Sequence, residues 1–299
     1  MPSGNRDNLL LGIAAMLLGM LLMTMMDATA KWLGEGYPIS QIVFFRNLFA
    51  LPPILVVTWA SGGFSSLRTR QWKLHLLRGF AILLAIYTFF WGLRFLPLAD
   101  AIALAFLAPL FVSLLSIPLL GEKVGPRRWA AVGVGFVGML VMLRPGAEVF
   151  RWEALLPTAT AFGYALAMIL TRRLSREDSN ASIIFWGTLV GCIFSAAFLP
   201  FAWRTPPLLD FALLVMMGMV GSVSMYCMTV AYRSAPAAVI APFEYTALLW
   251  GLLIGWLVWS ELPDAWVWTG AAVIVGSGIY ILHREQQIAR AKRLRASEE

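Results

Sequence analysis

Among the ionisable side chains that fall inside long apolar runs of this chain, four stand out: Asp27, Lys31, Arg46 and Glu244. A charge at the centre of a bilayer costs about 2.5 to 3.5 kcal/mol on insertion scales, so each needs a partner or a task. Asp27 and Arg46 lie on successive runs, each about six or seven residues from the same end, and at 1.5 Å per residue they reach a similar depth. They could pair, with Lys31 one turn from Asp27 as a third member. A structural ion pair and a role in binding or gating both fit that spacing. Glu244 follows Pro242 by two residues, and the missing proline N–H loosens a helix there. A carboxylate in that place can carry a proton or hold a cationic group of a solute. The alternative is a protonated Glu bonded to a neighbouring helix.

Aromatic residues supply the rest of a candidate cavity. The chain holds 13 Trp, 19 Phe and 7 Tyr, most of which belong at lipid or at the membrane interfaces. Tyr87, Trp91, Tyr164, Trp186 and Tyr245 lie well inside apolar runs, where a hydroxyl or indole N–H needs a partner; Tyr87, Trp91 and Tyr245 are the candidates for lining a site. Gly133 to Gly138 reads GxGxxG, but no strand precedes it, so close helix packing explains it better than a dinucleotide. The same holds for Gly187 with Gly191 and for Gly251 with Gly255. Cys192 and Cys227 lack CxxC spacing and His75 and His283 are isolated, so no metal, disulfide or cofactor is expected. A membrane-embedded enzyme would need a catalytic constellation, and none is present.

These residues must be positioned by membrane helices. Of 299 residues, 60% are hydrophobic and only 13% charged, and the mean hydropathy is +0.77. Apolar runs of membrane-crossing length recur near 9–33, 39–59, 76–95, 99–120, 129–143, 154–170, 181–203, 209–232, 237–259 and 265–282. This predicts an all-α integral membrane protein of ten transmembrane helices, with no soluble domain. The net charge of +7 sits in short gaps between runs, which argues for topology and against nucleic acid. Arg68, Arg70, Lys73, Lys123, Arg127, Arg128, Arg172, Arg173, Arg176 and the basic tail all fall on one side if the N-terminus is cytoplasmic. Both termini are therefore expected inside the cell. The start, with Arg6 and Ala28-Thr29-Ala30, resembles a signal peptide, but its apolar run is too long and reads as the first membrane helix. The tail from His283 to Glu299 is expected to be a charged, frayed helix at the inner leaflet.

The chain matches itself. Tyr87 meets Tyr226, Arg94 meets Arg233, Pro97 meets Pro236, Glu122 meets Glu261 and Trp129 meets Trp268, every pair 139 apart. A register of 141 aligns Lys31 with Arg172 and Ile42-Val43-Phe44-Phe45 with Ile183-Ile184-Phe185-Trp186. Two five-helix units follow, at 9–144 and 154–283, flanked by a short segment at 1–8 and a tail at 284–299. An odd number of spans inverts the second copy, an architecture that places a site near the midplane between units that rock around it. A channel or a scaffold has no evident need for such inversion. The repeat also sorts residues: Glu122 and Glu261 recur, as structural anchors or paired gates would, whereas Asp27, Arg46 and Glu244 face Met168, Gly187 and Ala105 in the other copy. The fold does not demand charge at those three places, which makes them the lead functional candidates.

Met26-Asp27-Ala28 through Lys31, Phe44-Phe45-Arg46-Asn47, Leu96-Pro97-Leu98-Ala99, Leu120-Gly121-Glu122-Lys123, Pro242-Phe243-Glu244-Tyr245 and Ser260-Glu261, in this order, resemble the drug/metabolite transporter superfamily and within it the EamA family. The resemblance covers nearly the whole chain. It implies a ten-helix secondary transporter of the bacterial inner (cytoplasmic) membrane, moving a small organic solute such as an amino acid, S-adenosylmethionine or riboflavin, or exporting amphipathic drugs with protons. It further implies that helices five and ten lie at the periphery or in a homodimer contact. No ATP-binding motif is present, so a gradient or exchange would supply the energy.

Overall fold

Inside a bilayer an apolar run must satisfy its own backbone hydrogen bonds, and helices do so. The computed structural model describes residues 3–60, 63–121, 126–143, 152–234 and 240–296, and among these all regular structure is helical. In chain order the α-helices are α1 (Ser3–Gly34), α2 (Ile39–Ala60), α3 (Trp72–Gly92), α4 (Leu98–Ala105), α5 (Ala108–Leu120), α6 (Pro126–Leu143), α7 (Leu155–Leu174), α8 (Asn180–Phe198), α9 (Leu208–Ser234), α10 (Thr246–Trp259) and α11 (Ala265–Ala296). Among the described residues eight segments are long and apolar enough to cross a membrane, α4 and α5 together forming one of them. Two shorter apolar stretches, Val132–Met142 in α6 and Ala265–Tyr280 in α11, complete ten.

The fourth span of each copy departs from regular α-helix beside corresponding residues, Phe106 in the first and Tyr245 in the second. Pro109 offers no N–H to the carbonyl of Ala105, and α4 gives way to α5 through Phe106 and Leu107. In the second copy Pro242 sits in a 3-10 turn, Ala241–Tyr245, that leads into α10. Phe106 and Tyr245 are 139 apart in sequence, yet their rings touch with centroids 4.7 Å apart. Counterparts in contact must straddle the axis that relates them, so the two breaks cross on the pseudo-two-fold.

Packing runs between copies far more than within them. α1 lies along α9 and α3 along α7, an exchanged pair under the two-fold; α2 pairs with its own counterpart α8, and α6 with α11. Small residues set these seams. A Cβ on Gly163 would come within 2.8 Å of the Ala81 carbonyl, and one on Gly138 within 2.9 Å of the Gly270 carbonyl. Thus two glycines of the GxGxxG run, Gly135 and Gly138, serve the close approach of α6 to its neighbours, while Gly133 faces open space. α5 and α10 both end on a left-handed residue, Gly121 at φ 68° and Ser260 at φ 56°, the latter turning the chain into Glu261. Glu122 lies outside the described residues.

Candidate functional site

At the end of the bundle where α1 finishes, Lys31 is 8% exposed and Glu261 25%. Lys31 Nζ donates to both carboxylate oxygens of Glu261, at 2.6 and 2.7 Å, and to the Leu96 carbonyl at 3.0 Å, with the Trp259 ring 4.9 Å away. Glu261 Oε2 also accepts from the backbone N–H of Leu98 at 3.3 Å, placing negative charge at the N-terminus of α4, where the helix dipole favours it. One ion pair thereby ties α1, α4 and α10 together across the two copies. Beside it, Tyr37 Oη donates to Asp210 Oδ2 at 2.5 Å and the Arg94 guanidinium donates to the Tyr37 carbonyl. Burial, then the hydrogen bond and charge of Asp210, push the Tyr37 phenol up to about 12.

Asp27 lies one turn deeper on α1 and is buried, as is most of Arg46 on α2. They are within electrostatic reach of each other but do not form a direct ion pair. Arg46 Nη1 donates to Asn47 Oδ1 at 3.3 Å, while Arg46 Nε and Asn47 Nδ2 are buried without a partner. Gly191 makes room for this group: a Cβ there would lie 2.7 Å from Asn47 Nδ2. Two opposite charges are therefore held apart around unspent donors.

A second polar cluster lies nearer the other end. Glu244 Oε1 accepts a short hydrogen bond from Tyr232 Oη of α9. Tyr164 of α7 is within electrostatic reach of both Glu244 and Arg78 of α3. Arg78 is anchored by Nε donating to Thr171 Oγ1 at 2.6 Å and Nη1 donating to the Ile183 carbonyl at 2.9 Å.

The remaining candidates disperse. Tyr87 Oη donates to Ser195 Oγ at 3.2 Å in the seam between α3 and α8. Trp91 shares an exposed stripe of α3 with Leu77, Phe80 and Leu84, a face that meets lipid in a membrane bundle. Tyr245 packs against Phe106 at the crossing of the breaks with the two rings tilted by 41°, its hydroxyl beside Gly278 of α11. Pro242 opens the 3-10 turn that presents Glu244.

The two copies are also what a family model recognises: the description "EamA-like transporter family" fits residues 10–144 and again 151–283. The chain belongs to the EamA-like transporter family. Among its EamA relatives, an S-adenosylmethionine uptake transporter of Rickettsia bellii is 28% identical over 94% of this chain and 97% of its own. Riboflavin transporters of Vibrio cholerae and Rhizobium johnstonii are 32% and 30% identical, covering 86% and 93% of this chain and 87% and 93% of theirs. A solved crystal structure superposes with TM-score 0.63 over 94% of this chain and 99% of its own, at 20% identity, a likeness of fold. The chain is thus a small-metabolite transporter of the membrane, and not an enzyme.

Within this EamA fold, Arg78 and Tyr232 are the residues that reading the sequence passed over. Arg78 falls two residues inside the apolar run that begins at Leu76, and a count of charges within runs would have found it. The repeat held a second signal, since Gly187, the counterpart of Arg46, leaves a vacancy that the Arg78 guanidinium fills. Tyr232 stands at the last turns of α9, where a phenol reads as an interfacial anchor.

Proposed function

We propose that the protein carries a small organic metabolite across the cytoplasmic membrane by alternating access, with the solute held between the two copies by Asp27, Arg46 and Glu244. The observation that carries this reading is the buried, uncontacted pair Asp27 and Arg46, with the adjacent donors of Arg46 and Asn47 unpartnered. Burying polar donors without partners costs free energy, which a bound solute returns. The inverted copies supply two equivalent ways for the bundle to close. The Lys31–Glu261 tie seals one face in the conformation described and has to release when that face opens.

The names of the relatives make S-adenosylmethionine and riboflavin the first solutes to try. The Lys/Arg distribution supports cytoplasmic termini at both ends of the two copies. Counterflow into proteoliposomes loaded with unlabelled solute tests the carrier reading: saturable exchange of labelled S-adenosylmethionine or riboflavin is expected, weakened by Arg46→Ala and by Glu244→Gln. Conductance without saturation, or uptake indifferent to both substitutions, would overturn it.

A further inference from the structure

The copies share a fold but not their charges, and the structure shows how the second copy regains what it lacks. Arg46 on α2 corresponds to Gly187 on α8. A Cβ on Gly187 would lie 2.5 Å from Arg78 Nη1, so the guanidinium of α3 occupies the place where a side chain on Gly187 would begin. Asp27 on α1 corresponds to Met168 on α7, and one turn to either side of Met168 stand Tyr164 and Thr171. Thr171 holds Arg78 and Tyr164 is coupled to it. Guanidinium groups therefore stand at related positions on the two sides of the pseudo-two-fold, delivered by different helices. Neither guanidinium makes an ion pair among the described residues: Arg46 is within electrostatic reach of Asp27, and Tyr164 is within reach of Arg78 and, separately, of Glu244.

The strip of α7 that carries Tyr164 and Met168 is open. They are 45% and 49% exposed, while Ala161 and Ala165 on one flank and Gly163 and Ala167 on the other are buried. An open strip between two packed seams, within electrostatic reach of Glu244 and Arg78, fits a wall turned toward the bundle interior, since the exposed Leu155 and Phe162 lie on the opposite side of the helix. Among the described residues the Tyr164 hydroxyl makes no hydrogen bond, and Glu244 Oε2 and Arg78 Nη2 are bonded to nothing.

We infer that Arg78, Tyr164 and Glu244 form a second binding subsite for a zwitterionic group, on the other side of the pseudo-two-fold from Asp27 and Arg46. This rests on the carrier reading above and deepens it. A carboxylate of the solute meets the free edge of Arg78, a cationic centre meets Glu244, and the Tyr164 hydroxyl lies between them. A group with one charge satisfies only one side and leaves the other buried and unmatched. Two such half-sites give a solute equivalent footing on either side of the centre as the copies rock.

The test uses the full chain in proteoliposomes with Cys192→Ala, Cys227→Ala and Met168→Cys, which leaves Arg78, Tyr164 and Glu244 in place. Modification by a cationic methanethiosulfonate reagent is timed in the presence of glycine betaine, L-methionine, S-adenosylmethionine, choline, acetate or riboflavin. Slowing of at least about tenfold by a zwitterionic probe is expected, with choline and acetate ineffective. Arg78→Gln and Tyr164→Phe should abolish or weaken protection, and Arg78→Lys should restore part of it. An unreactive Met168→Cys, protection by choline or acetate alone, no protection by any zwitterion, or protection that survives Arg78→Gln would each overturn the subsite. Counterflow by the wild-type chain judges the carrier reading separately: protection without counterflow sinks the carrier and keeps the subsite, and counterflow without protection does the reverse.

Discussion

Replacing Glu261 by Gln removes one charge from the tie that joins α1, α4 and α10 while keeping its volume. Lys31 is then left 8% exposed beside a neutral amide. Removing one partner of a buried pair costs about 3 to 5 kcal/mol. Glu261 is a quarter exposed and the amide still accepts one hydrogen bond, so about 2 to 3 kcal/mol is the fitting range. If the tie exists only when that face is closed, this converts to a shift of about 30- to 150-fold toward the open arrangement, at 1.4 kcal/mol per factor of ten. Nitroxides on Glu35→Cys and Leu262→Cys, both exposed near the tie, read the opening as a longer distance by pulsed electron resonance in a cysteine-free background. Lys31→Gln should produce a similar shift, and the double variant little more than either alone, because each single change already breaks the same contact. The charge swap Lys31→Glu with Glu261→Lys should recover only part of the closed population, since it places a cation at the N-terminus of α4 and abandons the contact with Trp259. Distance distributions that do not move in either single variant, or strictly additive effects, would refute the reasoning.

Three other outcomes are expected. Ser260→Gly should stabilise the detergent-purified protein by about 0.5 to 1 kcal/mol, because a left-handed non-glycine residue costs about 1 to 2 kcal/mol and glycine's extra freedom in the unfolded chain offsets part of that; a lowered melting temperature would count against it. In the GxGxxG run, Gly138→Ala should destabilise by about 1 to 3 kcal/mol through its clash with the Gly270 carbonyl, whereas Gly133→Ala should be near neutral, and equal melting temperatures would show that α6 does not approach α11 as described. Raised by burial and by Asp210, the Tyr37 phenol favours its neutral form in the fold, so the stability it contributes is complete below pH about 10 and lost as pH rises toward about 12. Thermal scans across that interval should show a steeper alkaline fall for the wild type than for Tyr37→Phe, and identical slopes would exclude the linkage.

Much of the scaffold was legible along the chain. Span positions followed because bilayer solvation is read run by run, and the ends found in the sequence differ from those of the helices mainly where a polar turn extends or trims them, as at Trp72 against Leu76. The site was less legible. Asp27 and Arg46 stood out as isolated charges at equal depth, and the structure brings them within electrostatic reach without contact. Lys31 read as a neighbour of Asp27 on its own helix, but its partner is Glu261, 230 residues away. Trp91 and Tyr87 lay deep enough to line a cavity, yet depth says nothing of which way a helix is turned, and α3 turns Trp91 outward while Arg78 faces inward.

The sequence by itself determined the helical class, the number of spans and the duplication, because apolar length and identity between copies are properties of the chain read one segment at a time. Tertiary structure alone decided which charges meet. Nearly every helix packs on one from the other copy, so each partner is chosen by the rotation and crossing of helices more than a hundred residues apart. The same geometry let Arg78 stand where Gly187 left room, a substitution across helices that no register of the sequence could display.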